Sequence, residues 1–276
     1  MSSVVSPSSD AAGLPRFAAN LWKSGFVRKT LILIALATIW QIAATINAKP
    51  ILFPTFTATM SALWNAILNE NLLLSTWGSL SVLLKGYAIA IALALVIVSL
   101  AVTSAFIRET LQSLIAMFNP LPAIALLPLA MLWFGLGETS LLVVLVHAVL
   151  WPFALATLSG FDGVPETQRL VGRNYGLKGP AYVVKILIPA ALPSILYGLK
   201  IGWAFAWRTL IAAELVFGVS SSSGGLGWYV FRNRNELFTD KVFAGLALVI
   251  IIGLLVEGVI FRLTERLTVR RWGMQR

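Results

Sequence analysis

Charged side chains are scarce in this chain, so those inside its apolar runs are the first candidates for chemistry. Arg208 and Lys200 lie eight residues apart in one such run. On a helix that spacing turns about 800°, some 80° beyond two full turns, and points them in neighbouring directions. Cations in an apolar medium are costly unless each meets an anion, and two readings follow. Either they line a path for an anionic solute, or Arg208 pairs with Glu214 or Glu138 while Lys200 snorkels to an interface. Glu138, Glu214, Glu257 and the single histidine, His147, complete the set. Glu214 reads as a structural helix-to-helix contact and Glu257 as a partner of Arg262 or a group at a subunit seam. His147 reads as a hydrogen-bonded packing residue, and Trp133, Phe134 and Trp207 are candidates for an aromatic gate. With no cysteine and one histidine, thiolate nucleophiles, thiolate metal sites and His-based metal clusters are ruled out; no catalytic residue and no metal site is assigned.

The elements that position these groups must cross a membrane. Of 276 residues, 58% are apolar and 12% charged, with a mean hydropathy of +0.87. A soluble domain has about 45–50% and about 25%, so one globular core cannot hide this much apolar surface. Six stretches approach the ~20 residues that cross a ~30 Å hydrocarbon layer: 30–46, 86–107, 117–136, 140–161, 186–218 and 242–261. The first is read as an uncleaved span, because the stretch ahead of it is too long for a signal-peptide head. The third holds Pro120, Pro122 and Pro128 and is expected to be kinked or broken. The fifth is overlong and is expected to tilt or to break near Gly198 or Gly202.

The net charge of +10 then concerns topology and lipid headgroups rather than nucleic acid. With the N-terminus inside, the cytoplasmic side gathers Arg16, Lys23, Arg28 and Lys29, then Arg108, then the four basic residues of the loop 162–185, then the five from Arg262 onward, which is 14 of 21. Both termini are therefore placed in the cytoplasm. The expected layout is a cytoplasmic tail over 1–29, with residues 1–15 disordered, and a first span over 30–46. An external segment over 47–79 follows, carrying an amphipathic interfacial helix at 55–69. A core of five spans covers 80–261, and a basic cytoplasmic tail covers 262–276. Residues 108–113 are expected as a short inner loop, and 220–240 as a long outer loop with a flexible Ser/Gly-rich start.

The inner loop is the most informative stretch. Pro165 and Glu166 suit the first turn of a helix, and Gly176 and Gly179-Pro180 suit its end. The spacing predicts a short helix over 165–175 lying parallel to the bilayer. It is either a solvated basic loop on anionic headgroups or a surface that grips another protein.

Gly176, followed after nine residues by Ile186-Leu187-Ile188-Pro189, resembles the cytoplasmic loop signature of ABC importer permeases. The runs from Pro189 to Gly202, from Trp207 to Glu214 and from Asn119 to Ser140 resemble the nitrate, sulfonate, taurine and bicarbonate branch of that family. The likeness extends from about residue 30 over nearly the whole chain. One departure is plain: the family's Glu-Ala-Ala falls on Leu170-Val171-Gly172, so the usual carboxylate is missing and Arg169 or Arg173 is left to supply a polar contact. The resemblance implies an all-α polytopic permease of the type I importer kind, with six transmembrane helices and a cytoplasmic coupling helix between spans four and five. Its coupling residues would be Glu166, Arg169, Leu170, Val171, Gly172, Arg173, Gly176 and Pro189. It further implies a homodimer, two ATP-hydrolysing subunits that bind ATP and Mg, and an external or periplasmic solute-binding protein. The chain itself has no Gly-x-x-x-x-Gly-Lys-Ser/Thr phosphate loop and is expected not to be an enzyme. A stand-alone proton-coupled transporter, using Glu138, His147, Glu214 or Glu257 as a relay, is the alternative; it would show inverted repeats, and none is visible.

Overall fold

The computed structural model describes residues 25–217 and 224–270. The expected disordered tail, the Ser-rich start of the outer loop and the last six residues lie outside the described residues. Every regular element among the described residues is helical. Four helices are long and apolar enough to cross a membrane, and two sharply bent pairs raise the number to six if each pair is one span.

Helix α1 (Gly25–Asn47) is apolar on every side and exposed along most of its length. Trp40 ties it to the rest: its Nε1 donates to the Pro54 carbonyl at 3.0 Å, and its ring packs among Phe53, Phe56 and Phe243. Helix α2 (Phe56–Asn69) is the expected amphipathic helix, capped by the Thr55 hydroxyl, which accepts from Ala58 N at 3.2 Å. Thr59, Leu63 and Ala66 face inward, while Trp64 and Leu68 face out.

The core is α3 (Leu72–Ala101), α6 (Glu138–Asp162) and α9 (Leu192–Phe217), with α6 between the other two. Small residues four apart let the backbones approach: Gly86, Ala90, Ala94 and Val98 on α3, and Gly198, Gly202 and Ala206 on α9, are all buried. A Cβ at Gly86 would stand 2.8 Å from Leu145 Cβ, and one at Gly198 would stand 2.8 Å from Ala156 Cβ. These contacts fix a register in which α6 runs parallel to α3 and antiparallel to α9. At one end Arg108 bonds Asp162 at 2.6 Å and Gly160 meets Ser194; at the other Lys85 bonds Glu138 at 2.6 Å. From Glu138 to Gly160 is about 33 Å of helix at ~1.5 Å per residue, the thickness of a hydrocarbon layer.

The third crossing departs from expectation. Residues 105–118, part of which was expected as a loop, form helix α4 (Ala105–Phe118), whose Leu111 and Ile115 face inward. The segment was obscured because Arg108, Glu109 and Gln112 interrupt the apolar run while keeping a helical period. Helix α5 (Ala123–Phe134) follows at 88° to α4. Pro120 and Pro122 cause the break by removing two N–H donors just beyond Asn119, which itself keeps helical dihedrals. Pro128 sits in the first α-helical turn after a short 3₁₀ turn and breaks nothing.

Helix α7 (Glu166–Asn174) is the short helix expected in the loop. Helix α8 (Gly179–Ala190) meets α9 at 80°. The break thus falls at Ala191, between Pro189 and Pro193, and not at Gly198 or Gly202. Those two glycines serve close packing inside a continuous α9, whereas the prolines remove backbone donors. Helix α10 (Leu226–Asn235) and the first turns of α11 (Thr239–Thr268) pack with α2 at the end opposite α7. There Glu70 accepts from Lys241 Nζ at 2.6 Å and from the Tyr229 hydroxyl at 3.2 Å. Burial and the Glu70 carboxylate push the Tyr229 phenol well above its ordinary range. Helix α11 begins three residues before the expected sixth span and runs seven beyond it.

Gly198→Val is expected to destabilise the fold by about 1–3 kcal/mol through overpacking against Phe153 and Ala156. Gly258→Val, where a Cβ meets nothing within 4 Å, should leave thermal unfolding in detergent unchanged.

Candidate functional site

Helix α7 has an inward and an outward face. Arg169 turns inward: its Nε donates to Val164 O at 3.0 Å and its Nη2 to Phe161 O, closing the end of α6. It is therefore occupied and does not supply the free polar contact that the sequence left open. Gly172 is buried because Ile186 and Tyr182 press on it; a Cβ there would meet them at 2.8 and 2.9 Å. Gly176, at φ +71°, ends the helix, with Leu177 N bonding back to Gly172 O at 3.0 Å. Outward lie Leu170, Val171 and Tyr175, about half, half and four-fifths exposed. Glu166 and Arg173 form an exposed pair at 3.5 Å, a contact of little strength. Leu170, Val171 and Tyr175 leave an exposed apolar patch on an otherwise polar helix. Tyr175 was not singled out from sequence, where it reads as one more residue before the glycine.

The second feature lies at the break between α4 and α5. A cleft of about 430 Å³ opens there, lined by Asn119, Pro120, Pro122, His147, Arg208 and Thr209 among others. Phe118 stacks on Trp151 at 5.1 Å and 19°, which sets the break about halfway along α6. Trp151 Nε1 donates to His147 Nδ1 at 3.1 Å, so a neutral ring carries its proton on Nε2. That atom is buried and makes no hydrogen bond among the described residues, with the backbone of Leu121 beside it.

Arg208 enters this cleft from α9. Its Nε donates to Ala204 O at 3.0 Å and its guanidinium lies 5.0 Å from the Phe205 ring centre. No carboxylate among the described residues pairs with it. The pairings weighed from sequence are filled otherwise: Glu138 takes Lys85, and Glu214 takes Ser79 and a helix end. Lys200 does not snorkel but bonds Glu257 at 2.9 Å, so Glu257 is not the partner of Arg262. Trp207 is buried against Gly253, Trp133 is two-thirds exposed, and no ring contact joins them.

Glu214 is wholly buried. The Ser79 hydroxyl lies 2.8 Å from both its oxygens, Gly227 N donates to it at 2.7 Å, and the same hydroxyl accepts from Leu226 N at 2.8 Å. The carboxylate thus stands at the N-terminal end of α10, where unpaired N–H groups and the helix dipole favour an anion. Gly227 is required, since a Cβ would come 2.7 Å from Glu214 Cβ and 2.9 Å from Ile211 O. The latch joins α9, α3 and α10. Ser79 is 135 residues from Glu214, and nothing in its sequence surroundings signals the role.

A family model described as a binding-protein-dependent transport system inner membrane component matches residues 100–269. The chain is 31% identical to a protein of Methanocaldococcus jannaschii named as an ABC transporter permease, over 79% of this chain and 82% of that one. It is 36% identical to the taurine transport system permease protein of Escherichia coli, over 59% of this chain and 58% of the relative. It is 26% identical to the nitrate import permease protein of Synechocystis, over 90% and 94%.

Glu214→Ala is expected to cost about 2–3 kcal/mol, because a charged acceptor is lost and buried N–H donors are orphaned. Ser79→Ala should cost about 1 kcal/mol, and the double variant less than the sum of the two. Chemical or thermal denaturation of the four proteins checks the coupling.

Proposed function

Because the chain belongs to the family of binding-protein-dependent transport system inner membrane components, we propose that it passes a small anionic or zwitterionic solute from a binding protein to the cytoplasm by alternating access. As a multi-pass permease of an ABC importer in the nitrate, sulfonate and taurine branch, it is the translocation subunit, and partner subunits bind ATP and Mg. The observation that carries the anion is Arg208: a cation without a carboxylate, in a cleft at a helix break, about halfway along a crossing. An unpaired cation there is costly and is stabilised when an anion arrives. Relatives named for taurine and nitrate fit a singly charged oxyanion group.

The α7 end is the cytoplasmic end in this reading, with both termini on that side, as the distribution of basic residues requires. Two ATP-binding subunits dock there, one on the α7 of each copy in a homodimer, and the solute-binding protein meets the α2 and α10 end. Leu170, Val171 and Tyr175 form the grip, Arg173 supplies polar contact at its rim, and Arg169, Gly172 and Gly176 hold α7 rigidly on α6 and α8. Motion imposed on α7 passes through α8 to the bend at Ala191 and so to α9, which carries both Arg208 and Lys200. The proton-relay alternative has no support: Glu138 and Glu257 are held by lysines, Glu214 by its latch and His147 by Trp151.

Reconstitution tests the whole reading. Uptake of taurine, methanesulfonate or nitrate into proteoliposomes should require added ATP-binding subunits, binding protein and ATP; uptake by the chain alone on a proton gradient would overturn it. Tyr175→Asp is expected to release the ATP-binding subunits on size exclusion, since a charge is buried in an apolar contact. Arg208→Gln should lower uptake at least tenfold while leaving assembly intact.

A further inference from the structure

The cleft at the helix break does not end at Arg208. Arg208 also lines a second cleft of about 490 Å³, which runs between α9 and α11 past Trp203 and Gly253 to Lys200 and Glu257. Lys200 and Glu257 in turn line a wider cleft of about 1090 Å³ toward the α7 end, with Lys29, Arg262 and Arg266 on its walls. Cations therefore recur along a groove made of three adjoining clefts that share Arg208, Lys200 and Glu257 as lining residues, the first two cations about 12 Å apart along α9.

The two inner cations are treated differently. Arg208 has no carboxylate, whereas Lys200 is bonded to Glu257 in a pair whose side chains remain 47% and 61% exposed to the groove. A pair so open contributes little to stability, and α9 and α11 are loosely joined here, with Gly258 facing open space. Glu257 also lies in the one part of α11, Val256–Phe261, where the described helix first widens to five-residue winding. Such winding is often found at functional positions, where the backbone can shift register. A groove of cations alone would hold an anion too firmly, since conduction requires sites that bind well enough to fill and weakly enough to empty.

We propose that Glu257 is a tethered stand-in for the anionic group of the solute. It occupies Lys200 while the groove is empty and yields the ammonium to an oxyanion arriving from Arg208. It then reclaims the ammonium and so expels the anion toward the α7 end. Arg208, Lys200 and Glu257 together carry a charge of +1 in the empty groove, which one singly charged oxyanion neutralises, so the carboxylate that Lys200 releases stays within a groove of zero net charge. The ligand class is a singly charged oxyanion, a sulfonate or nitrate, and the inference rests on the anion reading of Arg208 given above.

The test is equilibrium binding of nitrate, methanesulfonate and taurine, each alone, to the purified complex of the chain with its ATP-binding subunits. Glu257→Gln is expected to tighten binding by roughly three- to tenfold, and Lys200→Gln to weaken it by a similar factor. Glu257→Asp, which keeps the charge on a shorter arm, should fall between wild type and Glu257→Gln. A merely structural pair would respond alike to loss of either partner. Changes of the same sign in Glu257→Gln and Lys200→Gln, or no change in either, overturn the proposal, as does failure of every probe to bind the Glu257→Gln complex. Arg208→Gln separates the two levels. Loss of binding there without tightening in Glu257→Gln sinks this inference alone, and undiminished binding in Arg208→Gln sinks the anion reading beneath it.

Discussion

In a hydrocarbon layer the backbone has no water to turn to, so every N–H and C=O along a crossing must find a partner within the protein. The three core helices largely meet that requirement by running unbroken over the thickness of the layer, with one donor lacking at Pro152 of α6, and they lie close together at Gly86, Gly160, Gly198 and Gly202. Their register places Lys85 beside Glu138, Ser79 beside Glu214 and Arg108 beside Asp162. The same requirement makes the two proline breaks conspicuous. Each frees backbone groups at a place that a lipid-facing peg could not tolerate, one beside the cleft at Arg208 and the other at the joint after the α7 loop.

The loop and the joint form one mechanical unit. Arg169 holds α7 to the end of α6 through two carbonyls, and Tyr182 and Ile186 press Gly172 from α8. These contacts tie α7 to both α6 and α8, and α8 in turn meets α9 at the Ala191 bend. The outer surface of α7 exposes apolar area at Leu170, Val171 and Tyr175.

Much of the architecture was legible because apolar run length is a direct consequence of bilayer thickness. The amphipathic helix after the first span, the short helix at Glu166 and the break near Pro120 and Pro122 all followed from local chemistry. Helix α4 was missed because attention to unbroken apolar runs overlooks a helix that is polar on one face. The fifth span was expected to tilt or to break at Gly198 or Gly202, and the bend lies instead at Ala191, because glycine both loosens a helix and allows close packing, and sequence alone does not say which. The charge pairings were the least legible. Lys200 with Glu257 and Ser79 with Glu214 join residues far apart in the chain, and only the packing of helices decides who meets whom.

Helix α9 is fastened at both extremities, to α6 near Ser194 and to α10 through the Glu214 latch, with no proline between Pro193 and its end. A straight rod clamped at each end cannot tilt at one face of the membrane without displacing the other. A ligand at the α7 face and a ligand at the α10 face that each favour one setting of this rod would, by thermodynamic reciprocity, change each other's affinity by the same factor.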